Sequence, residues 1–175
     1  LKLENLLTVY DKSVFNILSC NYKIKFIDFG LSVSQYSSLN KFDRRTVGGT
    51  FFSPEAARVR QGNLRVNDES VEGKKCDMWS FGCLMGKLLA LDGIQSFIHN
   101  LKQQEDDQSD WHHTRADKLI IYRNHIYQQV TEKYGADHRY TRILQGCLAD
   151  AGSRWASEDV VNYLKAAGSV FDNEG

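Results

Sequence analysis

Asp28-Phe29-Gly30 follows Leu1-Lys2-Leu3-Glu4-Asn5 and precedes Ser53-Pro54-Glu55 and Asp77-Met78-Trp79-Ser80-Phe81-Gly82; the order of these stretches decides how the chain is read. Between the first two, Leu6-Leu7-Thr8-Val9-Tyr10 and Lys23-Ile24-Lys25-Phe26-Ile27 are short and β-rich, the second with clear alternation. They read as two arms of a hairpin. Residues 11–22 are more than a tight turn needs, so an extended hairpin tip is expected. Asn5 and Asp28 flank the two arms, and the hairpin would bring them together. An amide and a carboxylate are hard oxygen donors, the kind that Mg²⁺ takes together with water.

Working outward, residues 31–50 are rich in Ser, Thr, Asn and Arg without periodicity, as a surface loop is. Residues 58–73 are polar, mixed in charge and punctuated by glycine, and read as an insertion. From 74 to 91 the residues Trp79, Phe81, Cys83, Leu84, Met85, Leu88 and Leu89 surround most of a helix circumference, which places that helix in the middle of a domain. Residues 92–115 read as a variable polar loop. From 116 to 134, Leu119, Ile120, Ile126, Tyr127, Val130 and Tyr134 keep one helical face apolar, and Ile143, Leu144, Cys147 and Leu148 repeat the pattern from 140 to 148. A last helix is expected to open at Ser157, capped by its hydroxyl, with Glu158 and Asp159 at the positive terminus and Val160, Val161 and Leu164 buried. The fold class is α+β, mostly α, a small hairpin followed by a helical bundle. There is no internal repeat, and Pro54 is the single proline.

The chain has 175 residues, 22 Lys+Arg against 22 Asp+Glu and a formal net charge of +0. No global basic field draws nucleic acid or an anionic membrane, so partners must use local surfaces. No apolar run approaches the roughly 20 residues that span a bilayer, and the first residues lack a signal-peptide layout. A soluble, cytoplasmic protein is the expectation. Cys20, Cys76, Cys83 and Cys147 form no CxxC pair. On one helix Cys76 and Cys83 would stand about 10 Å apart, beyond the roughly 7 Å limit for a disulfide, so reduced, packed thiols are expected. His112-His113, in a polar stretch beside Asp110, reads as solvated loop.

In this order, Leu1 to Asn5, Asp28-Phe29-Gly30, Ser53-Pro54-Glu55 and Asp77 to Gly82 resemble the eukaryotic-type protein kinases, and they cover nearly the whole chain as the C-terminal lobe of that family. The resemblance implies transfer of the ATP γ-phosphate to protein hydroxyls, with ATP and Mg²⁺ as cofactors and protein substrates as partners. It implies that Asp28 holds the metal bridging phosphate oxygens and that Asn5 holds the second. Lys2 stands where Ser/Thr kinases place a lysine against the transferred phosphate, and Leu7 resembles the residue under the adenine. Asp77, taken to begin the central helix, would accept hydrogen bonds from the catalytic-loop backbone; a carboxylate at a helix N-terminus is also sensible in its own right. Glu55 would pair with Arg154, in Asp150-Ala151-Gly152-Ser153-Arg154-Trp155-Ala156.

The departures are as specific as the matches. Residues 47–55 resemble the end of an activation segment, GTxxYxAPE, with Phe51 in the Tyr place and Ser53 in the Ala place. The Gly-Thr pair is out of register, and Thr50 is a candidate for the substrate-facing threonine. Thr46, after Arg44-Arg45, is a candidate phosphosite and equally an unmodified loop residue. The family motif HRDLxxxN is met here from its Leu onward, and the 175 residues contain no glycine-rich phosphate loop, VAIK-type lysine or partner glutamate. The chain is therefore expected to be a partial kinase domain over 1–167 with a tail at 168–175, inactive on its own. The alternative is a pseudokinase or scaffold lobe that binds other proteins.

Overall fold

The computed structural model describes residues 5–10, 22–29, 52–60, 73–89 and 116–171. The expectations for the hairpin tip, for the loops at 31–50 and 92–115, for most of the insertion at 58–73, and for Lys2, Thr46 and Thr50 lie outside these residues.

β1 (Leu6–Tyr10) and β2 (Tyr22–Phe26) pair antiparallel, from Leu6 opposite Phe26 to Tyr10 opposite Tyr22. β2 begins and ends one residue earlier than its alternation suggests. The reason lies at Asp28, whose φ of 61° turns the chain just past the ladder. The positive φ is one that Asp tolerates better than most residues. Pairing places Leu6, Thr8, Ile24 and Phe26 on one face and Leu7, Val9, Lys23 and Lys25 on the other.

α1 (Pro54–Arg60) starts where no helix was expected, and it takes three residues, 58–60, from the presumed insertion. Its start is well formed. The Ser53 Oγ accepts from the Ala56 N–H at 3.2 Å, the Ser53 carbonyl accepts from Ala57 at 3.0 Å, and Pro54 takes the first helical position, where a missing N–H costs nothing.

α2 (Gly73–Leu88) is the buried central helix, with Trp79 at 0% and Cys83 at 1% exposure. Its apolar girdle is incomplete, because Leu88 is 60% exposed. Asp77 lies in the second turn of α2, and the first turn carries no acidic residue, so the expectation that Asp77 opens the helix and meets its dipole is corrected. Gly82 lets α4 (Arg139–Cys147) approach: a Cβ there would sit 2.8 Å from the Leu148 side chain.

α3 (Ala116–Tyr134) buries Leu119, Tyr122, Ile126 and Val130 against α1 and α4. It stops at Gly135, whose φ of 92° suits glycine and whose N–H bonds to the Thr131 carbonyl at 2.9 Å. The core runs through Ala57, Trp79, Cys83, Leu119, Ile126, Val130, Leu144 and Leu148. A second cluster joins Met78, Ile143, Cys147 and Val160.

α5 (Ser157–Phe171) differs from expectation in two ways, and it spans the 167/168 boundary. The Ser157 hydroxyl donates to Glu158 Oε2 at 3.0 Å instead of capping, and Asp159 Oδ2 accepts from the Ala156 N–H at 2.7 Å. This is the backward half of a capping box, with the serine one place too late to supply the forward half. Only Val160 is buried; Val161 and Leu164 are exposed, because the helix seats itself through Val160 and Tyr163, the latter packed on Trp155 at 5.3 Å between centroids. No described helix is long and apolar enough to cross a membrane.

Candidate active site and its support

The antiparallel register carries Asn5 and Asp28 to the same end of the hairpin. Beyond the last strand pair, Ile27 donates its N–H to the Asn5 carbonyl at 2.9 Å, so Asn5 faces Ile27 and Asp28 is the next residue. Asn5 is half-buried, and Asp28 and Phe29 are exposed. Asn5 and Asp28, just outside the two strands and one residue out of register, are an amide and a carboxylate, the residue types that Mg²⁺ takes together with water. Among the described residues no group of three or more His, Cys, Asp or Glu gathers for a metal. Leu7, 48% exposed, lies on the hairpin face opposite Leu6 and Phe26. Of the four residues singled out, the structure brings Asn5 and Asp28 to one end and puts Leu7 two residues from Asn5. Lys2 is outside the described residues.

The hairpin is a two-stranded ribbon, which is marginal alone; the fixed reference for the lobe is elsewhere. Arg154 donates from Nη2 to Glu55 Oε1 at 2.9 Å and from Nη1 to Glu55 Oε2 at 3.1 Å, a fork that joins residues 99 positions apart. Both side chains are buried, at 0% and 8% exposure. Two further Arg154 donors are used: Nε reaches the Ala149 carbonyl at 3.0 Å and Nη1 the Lys75 carbonyl at 3.0 Å. Lys75 Nζ returns a hydrogen bond to the Arg154 carbonyl. The guanidinium carbon stands 5.0 Å from the centroid of the Trp79 ring. A buried pair repays its desolvation only when such additional bonds are made. Here they lock α1, the first turns of α2 and the loop before α5 into one unit. Ser53 adds a further link, donating to Cys76 Sγ at 3.1 Å while it caps α1.

Sequence reasoning missed α1 and the Lys75 contribution. The signal for α1 was present in Ser53-Pro54-Glu55, a cap residue, a first-position proline and a first-turn acid. Nothing in the sequence marked Lys75.

The described cysteines are free, as expected. Burial pushes the Cys147 thiol up to about 12 and raises those of Cys83 and Cys76, the Ser53 hydrogen bond offsetting part of the effect at Cys76. In each the shift favours the protonated thiol over the thiolate. Partial desolvation raises the Asp77 carboxyl above its ordinary value, although the side chain keeps an exposed edge.

The protein kinase domain model matches residues 1–164, and the chain belongs to that family. Among curated proteins it is similar to serine/threonine-protein kinase 33 of Mus musculus, with 32% identity over 106 residues. That stretch is 59% of this chain and 19% of the relative, so the chain corresponds to a minor part of the length of the protein it matches. No solved structure gives a significant match.

Proposed function

We propose that the chain supplies the metal-holding edge and the helical lobe of a protein serine/threonine kinase, which moves the γ-phosphate of ATP to a protein hydroxyl. What supports the reading is the register at the hairpin end, where the Ile27 N–H to Asn5 carbonyl bond of 2.9 Å sets Asn5 beside the Asp28 turn. In this reading Asp28 and Asn5 hold Mg²⁺, which when bound neutralises charge across the phosphate oxygens. Lys2 contacts the transferred phosphate, and Leu7 offers an apolar floor to the adenine. The buried Glu55–Arg154 pair keeps α1 fixed against the bundle.

Transfer also requires a carboxylate to take the hydroxyl proton, a lysine on the α/β-phosphates and a loop over them, none of which these 175 residues supply. By themselves they do not orient the nucleophile, and they are inactive. The test is transfer of labelled phosphate from Mg-ATP to a generic Ser/Thr substrate. The 175-residue chain gives none. The natural protein carrying these residues is active and loses about a hundredfold or more in Asp28→Ala, the scale of removing one group that stabilises transition-state charge. Transfer by the chain alone overturns the inactivity; a natural protein that binds ATP yet transfers nothing points to a scaffold lobe.

A further inference from the structure

The fork between Glu55 and Arg154 leaves one hydrogen over. A guanidinium carries five N–H donors in a fixed plane. Arg154 places four of them: one from Nη2 on Glu55 Oε1, two from Nη1 on Glu55 Oε2 and the Lys75 carbonyl, and that of Nε on the Ala149 carbonyl. The fifth, the second hydrogen of Nη2, meets no acceptor among the described residues, although the side chain is 0% exposed.

The neighbouring ring repeats the situation. Trp79 is fully buried, its ring centroid is 5.0 Å from the guanidinium carbon, and its Nε1 likewise meets no acceptor among the described residues. An indole N–H is a donor only, and no rotation of the group supplies what it lacks. Two donors withdrawn from solvent in one neighbourhood are a cost that native interiors meet with an acceptor. The surroundings select its chemistry. An anion would suit the donors but would stand beside the Glu55 carboxylate, which already balances the charge of Arg154. A neutral molecule that accepts twice, donates twice and fits a packed core is water. Its own hydrogens have a place to go, since each Glu55 oxygen accepts one bond from Arg154 and a carboxylate offers about four lone-pair sites.

We propose that one buried water sits at the fork, accepting from Trp79 Nε1 and from the fifth Arg154 N–H and returning a hydrogen to Glu55. It brings the indole into the network that joins α1 to the loop before α5. The central helix α2 then holds the fork through the Trp79 side chain as well as through the Lys75 carbonyl. The site is closed, because Trp79 and Arg154 are both buried, so this water leaves only when the lobe opens.

The experiment is rotating-frame cross-relaxation between the Trp79 indole hydrogen and the water line, resolved through nitrogen-15, in the whole chain. The comparison is a variant in which Trp79 alone is replaced by its benzothiophene isostere, with sulfur in place of the N–H, whose missing signal also assigns the indole. A cross-peak of the sign that dipolar contact gives and chemical exchange does not is expected. It persists in Tyr122→Phe, which removes a hydroxyl from the same buried cluster. The isostere melts about 2–4 °C lower, the worth of one hydrogen bond in a chain of this size. Absence of the cross-peak overturns the proposal whatever the melting temperature, and so does a cross-peak that vanishes with the Tyr122 hydroxyl. An isostere that melts no lower overturns it as well, because removing a buried donor that has no acceptor costs nothing.

Discussion

In the helical half of the chain Trp79 and Arg154 are 0% and 1% exposed; in the hairpin and just past it Ile24, Phe26 and Phe29 are 62%, 50% and 67% exposed. The helical half owes its order to contacts it makes with itself: a buried fork between Glu55 and Arg154, glycine-mediated approach of α2 to α4, and a continuous core. The hairpin is held by its ladder, and its large apolar side chains add little burial among the described residues. The difference teaches where stability resides. Substitutions in the helical half should be read in the melting curve; those at the hairpin end, under the proposed function, should be read in metal and nucleotide binding.

Arg154→Ala attacks the comparison hardest. Removing one partner of a buried pair leaves Glu55 uncompensated and costs about 3–5 kcal/mol, enough to unfold a marginal domain. Thermal or urea unfolding monitored by circular dichroism checks it; a loss under about 1 kcal/mol would deny that the pair organises the lobe. Next comes Gly146→Ala, whose Cβ would run into the Trp155 ring, so that the ring would have to shift. We expect a loss of about 1–3 kcal/mol by the same measurement, against the gain that alanine gives elsewhere in helices. Ser53→Ala removes the α1 cap and the Cys76 bond together, for about 1 kcal/mol. Smallest is Phe26→Ser on the hairpin, expected within about 0.5 kcal/mol, as for an exposed site. A large loss at Phe26 would mean that the hairpin is packed into the lobe after all, and the contrast would fail.

Much of this architecture was legible because periodicity survives in the long helices: α3 coincides with the expected stretch at 116–134, and Ile143, Leu144, Cys147 and Leu148 are all buried as their spacing required. The Glu55–Arg154 fork was legible only through the family resemblance, since no local pattern links residues 99 positions apart. What escaped was decided by geometry at element ends. α1 is too short for a periodic signal and had to be read from its cap. The seating of α5 turned on whether Tyr163 or Leu164 faces the bundle, a choice made by the Trp155 ring and not by hydrophobicity. At the candidate site the residue types and their order were legible, and the turn at Asp28 that ends β2 was not, because a positive φ at an aspartate leaves no mark in the sequence.

The central claim, that Asn5 and Asp28 form a metal-nucleotide edge, is tested most directly by adding Mn²⁺-ATP at substoichiometric levels to the isotope-labelled chain and following amide signals by NMR. The account predicts selective paramagnetic broadening of Asn5, Ile27 and Asp28 while the signals of α3 and α4 stay sharp, and loss of that selectivity in Asp28→Ala. Hairpin signals no broader than those of the bundle, or selective broadening unchanged in Asp28→Ala, would contradict it.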